Sequence, residues 1–301
     1  MIIQTDNLWK KYGRFDALQG LSIAVPGGSA FALVGANGAG KSTTIKTLMN
    51  IISPSQGSAT ILGVDSRKIS PRELTQIGYV SENQEMPGRL TVAEYIAYLR
   101  PFYPAWDRQL EADILAQLRL PPDRKIKNLS HGMRLKMALA CALPFRPKLL
   151  VLDEPFSGLD PLVRDEFLEN LLLQAGEGMT ILISSHELME LEGVATHLAF
   201  LDRGKLLFQE SMSDLTDRLR EVHVTLDRQA NAPAQLRKEW LDFRTSGNVA
   251  SFVETAYSED RLAADIAAAF GSVRDIDAQP IGLRAIFKTL ARATRDDGMA
   301  R

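Results

Sequence analysis

An α/β fold, with a parallel-rich sheet covered by helices on both faces, is predicted by three features of the chain. Apolar runs at about 148–153, 180–184, 197–202 and 205–209 alternate with stretches of helical character, the pattern of strands buried on both sides. A further run, Phe31-Ala32-Leu33-Val34, passes directly into the glycine-rich segment Gly35-Ala36-Asn37-Gly38-Ala39-Gly40-Lys41-Ser42-Thr43 and then into a helical stretch of about 41–51. The 301 residues, 45% hydrophobic and 24% charged, suffice to bury a sizeable core in one large or two smaller domains.

The elements follow in order. Residues 2–34 read as short strands, with turns at Gly13-Arg14 and Pro26-Gly27-Gly28. Gly57-Ser58-Ala59-Thr60-Ile61-Leu62-Gly63 reads as another short strand. From about 92 to 143 the chain is mostly helical, interrupted by Pro101, Pro104 and Pro121-Pro122, because proline cannot continue a helix interior. No internal repeat is visible, and only one glycine-rich loop of this kind occurs.

That loop carries chemistry. Glycines let successive backbone N–H groups curl around β- and γ-phosphates, Lys41 brings positive charge to them, and the Ser42 hydroxyl can ligate Mg²⁺. The following helix points its partially positive N-terminus at the same place. The reading is a nucleoside triphosphate site; the bland alternative is a glycine-rich strand-to-helix turn. Leu149-Leu150-Val151-Leu152 ends in Asp153-Glu154-Pro155, where Asp153 could hold the metal and Glu154 could polarise an attacking water. Capping acids at a helix N-terminus are the plainer alternative.

Taken together, Tyr12, Gly35 to Thr43, Gly78-Tyr79-Val80-Ser81-Glu82, Leu129-Ser130-His131-Gly132-Met133, Asp153-Glu154-Pro155, Ser157-Gly158-Leu159-Asp160 and Ser184-Ser185-His186 occur in an informative order. The set resembles the nucleotide-binding subunit of an ATP-binding cassette (ABC) transporter, over about residues 1–220. The resemblance implies a P-loop NTPase with a RecA-like core, an antiparallel β subdomain and a helical subdomain at about 88–143. It also implies ATP and Mg²⁺ as ligands, and two chains closing head to tail around two ATP molecules. In that arrangement Tyr12 stacks on adenine; Gly35, Asn37, Gly38, Ala39, Gly40, Lys41, Ser42 and Thr43 cradle the phosphates; Ser42 and Asp153 hold the metal; Glu154 is the base and His186 reaches the γ-phosphate or the water. Ser130 and Gly132 serve the opposite subunit's nucleotide. Each has a structural alternative: a buried tyrosine at a strand end, an N-cap serine, a histidine that merely packs.

Three positions depart from the family pattern. Glu82 stands where a glutamine that contacts Mg²⁺ or water is usual, and it is read as a further metal ligand because a carboxylate can still ligate Mg²⁺, with Gln84 two residues on as the alternative. His131 and Met133 stand in a segment usually read Leu-Ser-Gly-Gly-Gln; the histidine is expected to crowd a backbone approach that glycine permits, and the methionine gives up an amide. Leu-Ser-X-Gly-Met, the acidic residue at 82 and Phe102-Tyr103-Pro104-Ala105-Trp106-Asp107 look like a branch of bacterial ATPases that serve ABC-2-type exporters. The expected partners are an integral membrane permease and a second ATPase chain as a homodimer, with Tyr95, Tyr98, Phe102, Tyr103 and Trp106 near the docking groove or in the helical core. Rival readings are a soluble cassette ATPase of DNA repair or ribosomes and a regulatory cassette of weak turnover.

Composition bounds these readings. The formal net charge of −2 offers no global attraction to nucleic acid or acidic lipid. No apolar stretch approaches the roughly 20 residues of a membrane span, and Met1-Ile2-Ile3-Gln4-Thr5-Asp6 does not look like a secretory leader. Cys141 is the only cysteine, which argues against an internal disulfide or a zinc module and fits a reducing cytoplasm. The expected location is cytoplasmic, peripheral on the inner face of the cell membrane. Residues 221–301 form a separate small α+β domain by pattern, in the order strand, helix, hairpin, helix, strand, helix. Its marks are the alternation at Val222, Val224 and Leu226, a hairpin across Ser246-Gly247-Asn248, and helical faces of Leu262, Ile266 and Phe270 and of Leu283, Ile286, Phe287 and Leu290.

Overall fold

The computed structural model describes residues 1–82, 84–174, 178–187, 191, 193–233, 235–286, 288–290 and 292. The chain divides into two compact units, Met1–Gln209 and Glu210–Arg301. The division falls between 209 and 210 rather than between 220 and 221, because the segment after Gln209 is tied forward. Arg218 pairs with Glu210 and donates to the carbonyl of Thr255 at 2.7 Å.

In the first unit the strands are β1 (Ile3–Tyr12), β2 (Phe15–Leu21), β3 (Ala24–Val25), β4 (Ala30–Val34), β5 (Gln56–Ile61), β6 (Val64–Asp65), β7 (Ile77–Ser81), β8 (Leu149–Asp153), β9 (Thr180–Ser185), β10 (His197–Asp202) and β11 (Lys205–Ser211), the last running into the second unit. The helices are α1 (Lys41–Leu48), α2 (Pro71–Leu74), α3 (Val92–Leu99), α4 (Arg108–Gln117), α5 (His131–Ala142) and α6 (Pro161–Gln174). An antiparallel sheet has the order β2-β1-β5-β6, with β3 also on β1. A second sheet has the order β11-β10-β4-β9-β8-β7, and its pairs from β10 to β7 are parallel.

Parallel strands need crossover helices, which bury both faces of the sheet. Every residue of β8 and β9 is accordingly buried. Phe31, Leu33, Val151 and Leu182 from this sheet join Ile45 and Leu48 of α1 and Ile3, Leu8 and Leu18 of the antiparallel sheet in one core. Each such side chain contributes about 1.5–3 kcal/mol by leaving water. The consequence is a rigid floor beneath the carboxyl ends of β4, β8 and β9, the place where open α/β sheets bind ligands.

The helical stretch has its own stops and starts. α3 begins at a capping box, Thr91 with Glu94, and α4 begins at Asp107, whose carboxylate accepts from the N–H groups of Gln109 and Leu110. Among the aromatic residues, Tyr103 stacks on Phe145 at 4.1 Å and Trp106 donates to Glu111 at 2.7 Å, so these two fill the subdomain itself. Tyr98 and Phe102 remain well exposed, in edge contact with one another at 5.5 Å.

The second unit holds α7 (Met212–Arg218), β12 (Arg220–Leu226), β13 (Trp240–Ser246), β14 (Val249–Glu254), α8 (Glu259–Phe270) and β15 (Val273–Pro280). Its antiparallel sheet runs β13-β14-β12-β15. Val222, Val224, Leu226, Trp240 and Phe252 pack with Leu262 and Ile266 of α8. The expected hairpin is present, with Ser246 opposite Val249. The helix expected between β12 and the hairpin is not: the described residues of 227–239 are irregular, with bends at 227, 228 and 235 and a turn at 238–239. Pro233 and the polar residues around it supply neither an apolar helical face nor the missing N–H. Residues 283–286 and 288–290 are helical with Leu283 and Ile286 buried, while Phe287 lies outside the described residues.

Candidate active site

Three adjacent strand ends build the site. β4 delivers the glycine-rich loop, β8 delivers Asp153 and Glu154, and β9, between them, delivers Ser184, Ser185 and His186. Two glycines of the loop are required sterically. A Cβ on Gly35 would run into the carbonyl oxygen of Leu201, and Gly40 sits at φ 106° with Ala17 O and Leu18 Cδ2 each 2.8 Å from where its Cβ would lie. Gly40 is also the N-cap of α1, whose first turn has no acidic residue to compete for the positive end of its dipole.

Lys41 is a buried cation. Its Nζ donates to Gly35 O at 2.6 Å and Ala36 O at 3.2 Å, and lies 3.0 Å from Glu154 Oε1. A buried ammonium needs such partners, since an unpaired one would be strongly destabilising. These are also the bonds that an incoming phosphate could replace.

On the opposite wall, Asp153 Oδ1 accepts from Ser42 Oγ at 2.9 Å and from Ser184 Oγ at 2.8 Å. Ser184 Oγ in turn accepts from the Glu154 N–H at 2.9 Å. Ser184 is thus a hinge between the two acids, a role visible in the sequence only as a hydroxyl closing an apolar strand. The Glu154 backbone has φ 49°, the left-handed region that a non-glycine residue rarely occupies. The turn aims its carboxylate across the strand ends, where Oε2 meets His186 Nδ1 at 2.9 Å.

Burial pushes the Glu154 carboxyl up, but hydrogen bonds and charge from His186 and Lys41 outweigh it and hold the group below its ordinary value. An ionised carboxylate can only accept, so the His186 Nδ1 carries the proton in this pair. His186 is therefore oriented by Glu154 rather than packed as an inert ring.

A cavity of about 230 Å³ joins these groups to the β1–β2 hairpin, lined by Tyr12, Phe15 and Ala17 together with Asn37, Gly38, Gly40, Lys41, Ser42, Thr43 and Glu154. Tyr12 is 48% exposed, which removes the buried-tyrosine alternative. One reason its ring holds its place is Lys10, whose Nζ sits 5.1 Å from the ring centroid and donates to Ser53 O at 2.7 Å. Phe15, 62% exposed, pairs in register with Tyr12 across the hairpin. Phe15 belongs to no motif in the sequence, and its one visible signal is an aromatic placed just beyond the Gly13-Arg14 turn.

Glu82, Gln84, Ser130, His131 and Gly132 are not among the residues lining this cavity. Glu82 is not brought into the phosphate-loop cavity: its N–H bonds Asp153 O at 3.2 Å, but the turn closed by Gln84 N–H on Ser81 O carries it to a separate cleft of about 730 Å³. Gln84 lines the same cleft, with its Oε1 buried and lacking a hydrogen-bond partner. Ser130 caps α5, its Oγ accepting from Met133 N–H at 3.3 Å, and stays exposed. Gly132 is in the first turn of α5, where a Cβ would lie 3.0 Å from Val163 Cγ1. The ring of His131 lies against the loop after β8, its Nε2 3.0 Å from Ser157 O.

The donor set fits Mg²⁺. Ser42 and Asp153 offer hard oxygens side by side, and such an ion takes one or two protein oxygens and completes its shell with water and phosphate. Among the described residues no group of three or more His, Cys, Asp or Glu side chains is gathered for a metal.

Residues 18–157 match the family model described as ABC transporter. The lantibiotic transport ATP-binding protein SrtF of Streptococcus pyogenes is 33% identical over 223 residues, covering 73% of this chain and 95% of its own length. The chain belongs to the ABC transporter family of ATP-binding proteins. The probable multidrug ABC transporter ATP-binding protein YbhF of Escherichia coli (strain K12) is 32% identical over 219 residues, covering 71% of this chain; the alignment spans only 38% of that relative. A solved ATP-binding subunit of an ABC transporter superposes with a TM-score of 0.66 at 28% identity, over 72% of this chain and 92% of that one. The matches reach the cassette, and residues beyond it have their own architecture.

Proposed function

We propose that this cassette is the ATP-binding and ATP-hydrolysing subunit of an ABC-2-type exporter, closing as a homodimer on ATP to drive an integral membrane permease from the cytoplasmic face. The observation that carries the reading is the single network running from Lys41 through Glu154 to His186, beside Ser42, Asp153 and Ser184. Each member has a task. Tyr12 stacks on the base, with Phe15 beside it. The loop amides and the N-terminus of α1 receive the phosphates, and Ser42 and Asp153 hold Mg²⁺, which neutralises charge on the phosphate oxygens.

Lys41 links binding to catalysis. When its ammonium turns from Glu154 and the loop carbonyls to the β- and γ-phosphates, Glu154 loses one of the groups that depress its proton affinity. The carboxylate becomes a better base for the attacking water, while His186 keeps it oriented. Such a base is worth about 10²–10⁴ in rate.

Ser130 and Gly132 complete the site of a second copy. The exposed Ser130 hydroxyl and the N-terminus of α5 suit a γ-phosphate presented from outside the chain. The exposed pair Tyr98 and Phe102 is the part of the aromatic stretch available to a permease segment. No described helix is long and apolar enough to cross a membrane.

The closure is tested by light scattering on Glu154→Gln with ATP and Mg²⁺. The variant should double its mass on ATP, and the same protein with Lys41→Ala added should not. A mass unchanged by ATP would contradict the composite site.

A further inference from the structure

We infer that His131 is a positioning residue, which clips the first turn of α5 to the loop carrying Glu154 and so couples the surface offered to one nucleotide to the base that acts on the other. The inference rests on the proposed ATPase dimer. His131 follows the cap residue Ser130 directly, and its Nε2 lies 3.0 Å from the carbonyl oxygen of Ser157. A carbonyl only accepts, so Nε2 carries the proton in this bond.

The receiving loop is short and internally bonded. Ser157 N–H donates to Glu154 O at 3.3 Å and Leu159 N–H to Phe156 O at 3.1 Å, so a pull on Ser157 O is felt at the residue whose φ is 49°. Gly158, at φ 71°, lets the loop turn under the imidazole, whose Nε2 would lie 3.8 Å from a Cβ there. Further along, Lys136 of α5 pairs with Glu166 of α6 at 2.7 Å, and Gly132 abuts Val163. Beneath the clip the two helices therefore approach as a unit, and His131 extends that attachment to the exposed end.

A glycine at 131 could make no such bond. The histidine is thus a gain of contact within the chain, set where one surface faces a partner's ATP and the other holds the chain's own water-activating acid. Without the clip, Ser130 and Glu154 lose a direct mechanical connection, and closure at one face is less able to settle the other.

The experiment is steady-state ATP hydrolysis by wild type, His131→Leu and His131→Gln, with thermal unfolding of each. Leucine fills the exposed position without a donor, while the glutamine amide can donate at about the reach of Nε2. Loss of one such hydrogen bond predicts a fall in kcat of about three- to tenfold for His131→Leu. KM for ATP and the unfolding temperature should be unchanged, and His131→Gln should return to within about twofold of wild type. Equal rates in wild type and His131→Leu, equal losses in the leucine and glutamine variants, or a change confined to KM would each overturn the inference. A wild-type chain that hydrolyses no ATP would instead overturn the functional reading on which it stands.

Discussion

At Glu154 the backbone adopts a left-handed turn, the side chain is shared by Lys41 and His186, and the N–H is held by Ser184. Residue types and order made Glu154, Asp153 and Lys41 legible, because an apolar strand ending in two acids has few other uses beside a phosphate loop. The bonds of Ser184 and His131 were not legible, since each depends on which loop lies across the strand ends. Glu82 shows the converse: its position in the motif suggested a metal ligand, and a turn of the chain sends it to another cleft. Tyr12 was readable as a base platform only through family register, and its exposure beside Phe15 supplies the physical case. Stacking of a base on an aromatic ring is worth about 1–3 kcal/mol. Tyr12→Ala should therefore weaken ATP binding roughly tenfold, measured by titration calorimetry, while leaving binding of inorganic tripolyphosphate unchanged; equal weakening of both would contradict the stacking role.

Among the elements, β8 and β9 were the plainest, because strands buried on both faces appear as uninterrupted apolar runs. The hairpin of the second unit was equally clear, since Gly247-Asn248 between two alternating runs has a turn chemistry of its own. The helix expected after β12 failed because no apolar stripe supported it. In α5, seven residues from Leu135 to Ala142 are buried, Cys141 among them. Burial, with the nearby charge of Glu111, pushes the Cys141 thiol up to about 12. Since the thiolate is the reactive form, native protein at about pH 8 should not be alkylated by iodoacetamide, while guanidinium-unfolded protein should be alkylated fully. Fast native labelling would mean that α5 opens far more readily than its packing allows.

For the whole molecule, the sequence holds one phosphate loop, and Ser130 at the start of α5 is not among the residues lining the phosphate-loop cavity. On the proposed function, a complete site takes Ser130 from a second copy, and transport takes a membrane partner. The pattern of the sequence changes near residue 221, while the chain divides between Gln209 and Glu210, with Arg218 of α7 bonded forward to Thr255. On the proposed function, Glu154 activates water for hydrolysis of ATP bound at Lys41. Phosphate release from ATP and Mg²⁺ by wild type and Glu154→Gln, with the permease present, tests it directly. The account predicts turnover in wild type and a loss of at least about 10²-fold in the variant, with ATP still bound. Equal turnover in the two proteins would contradict it.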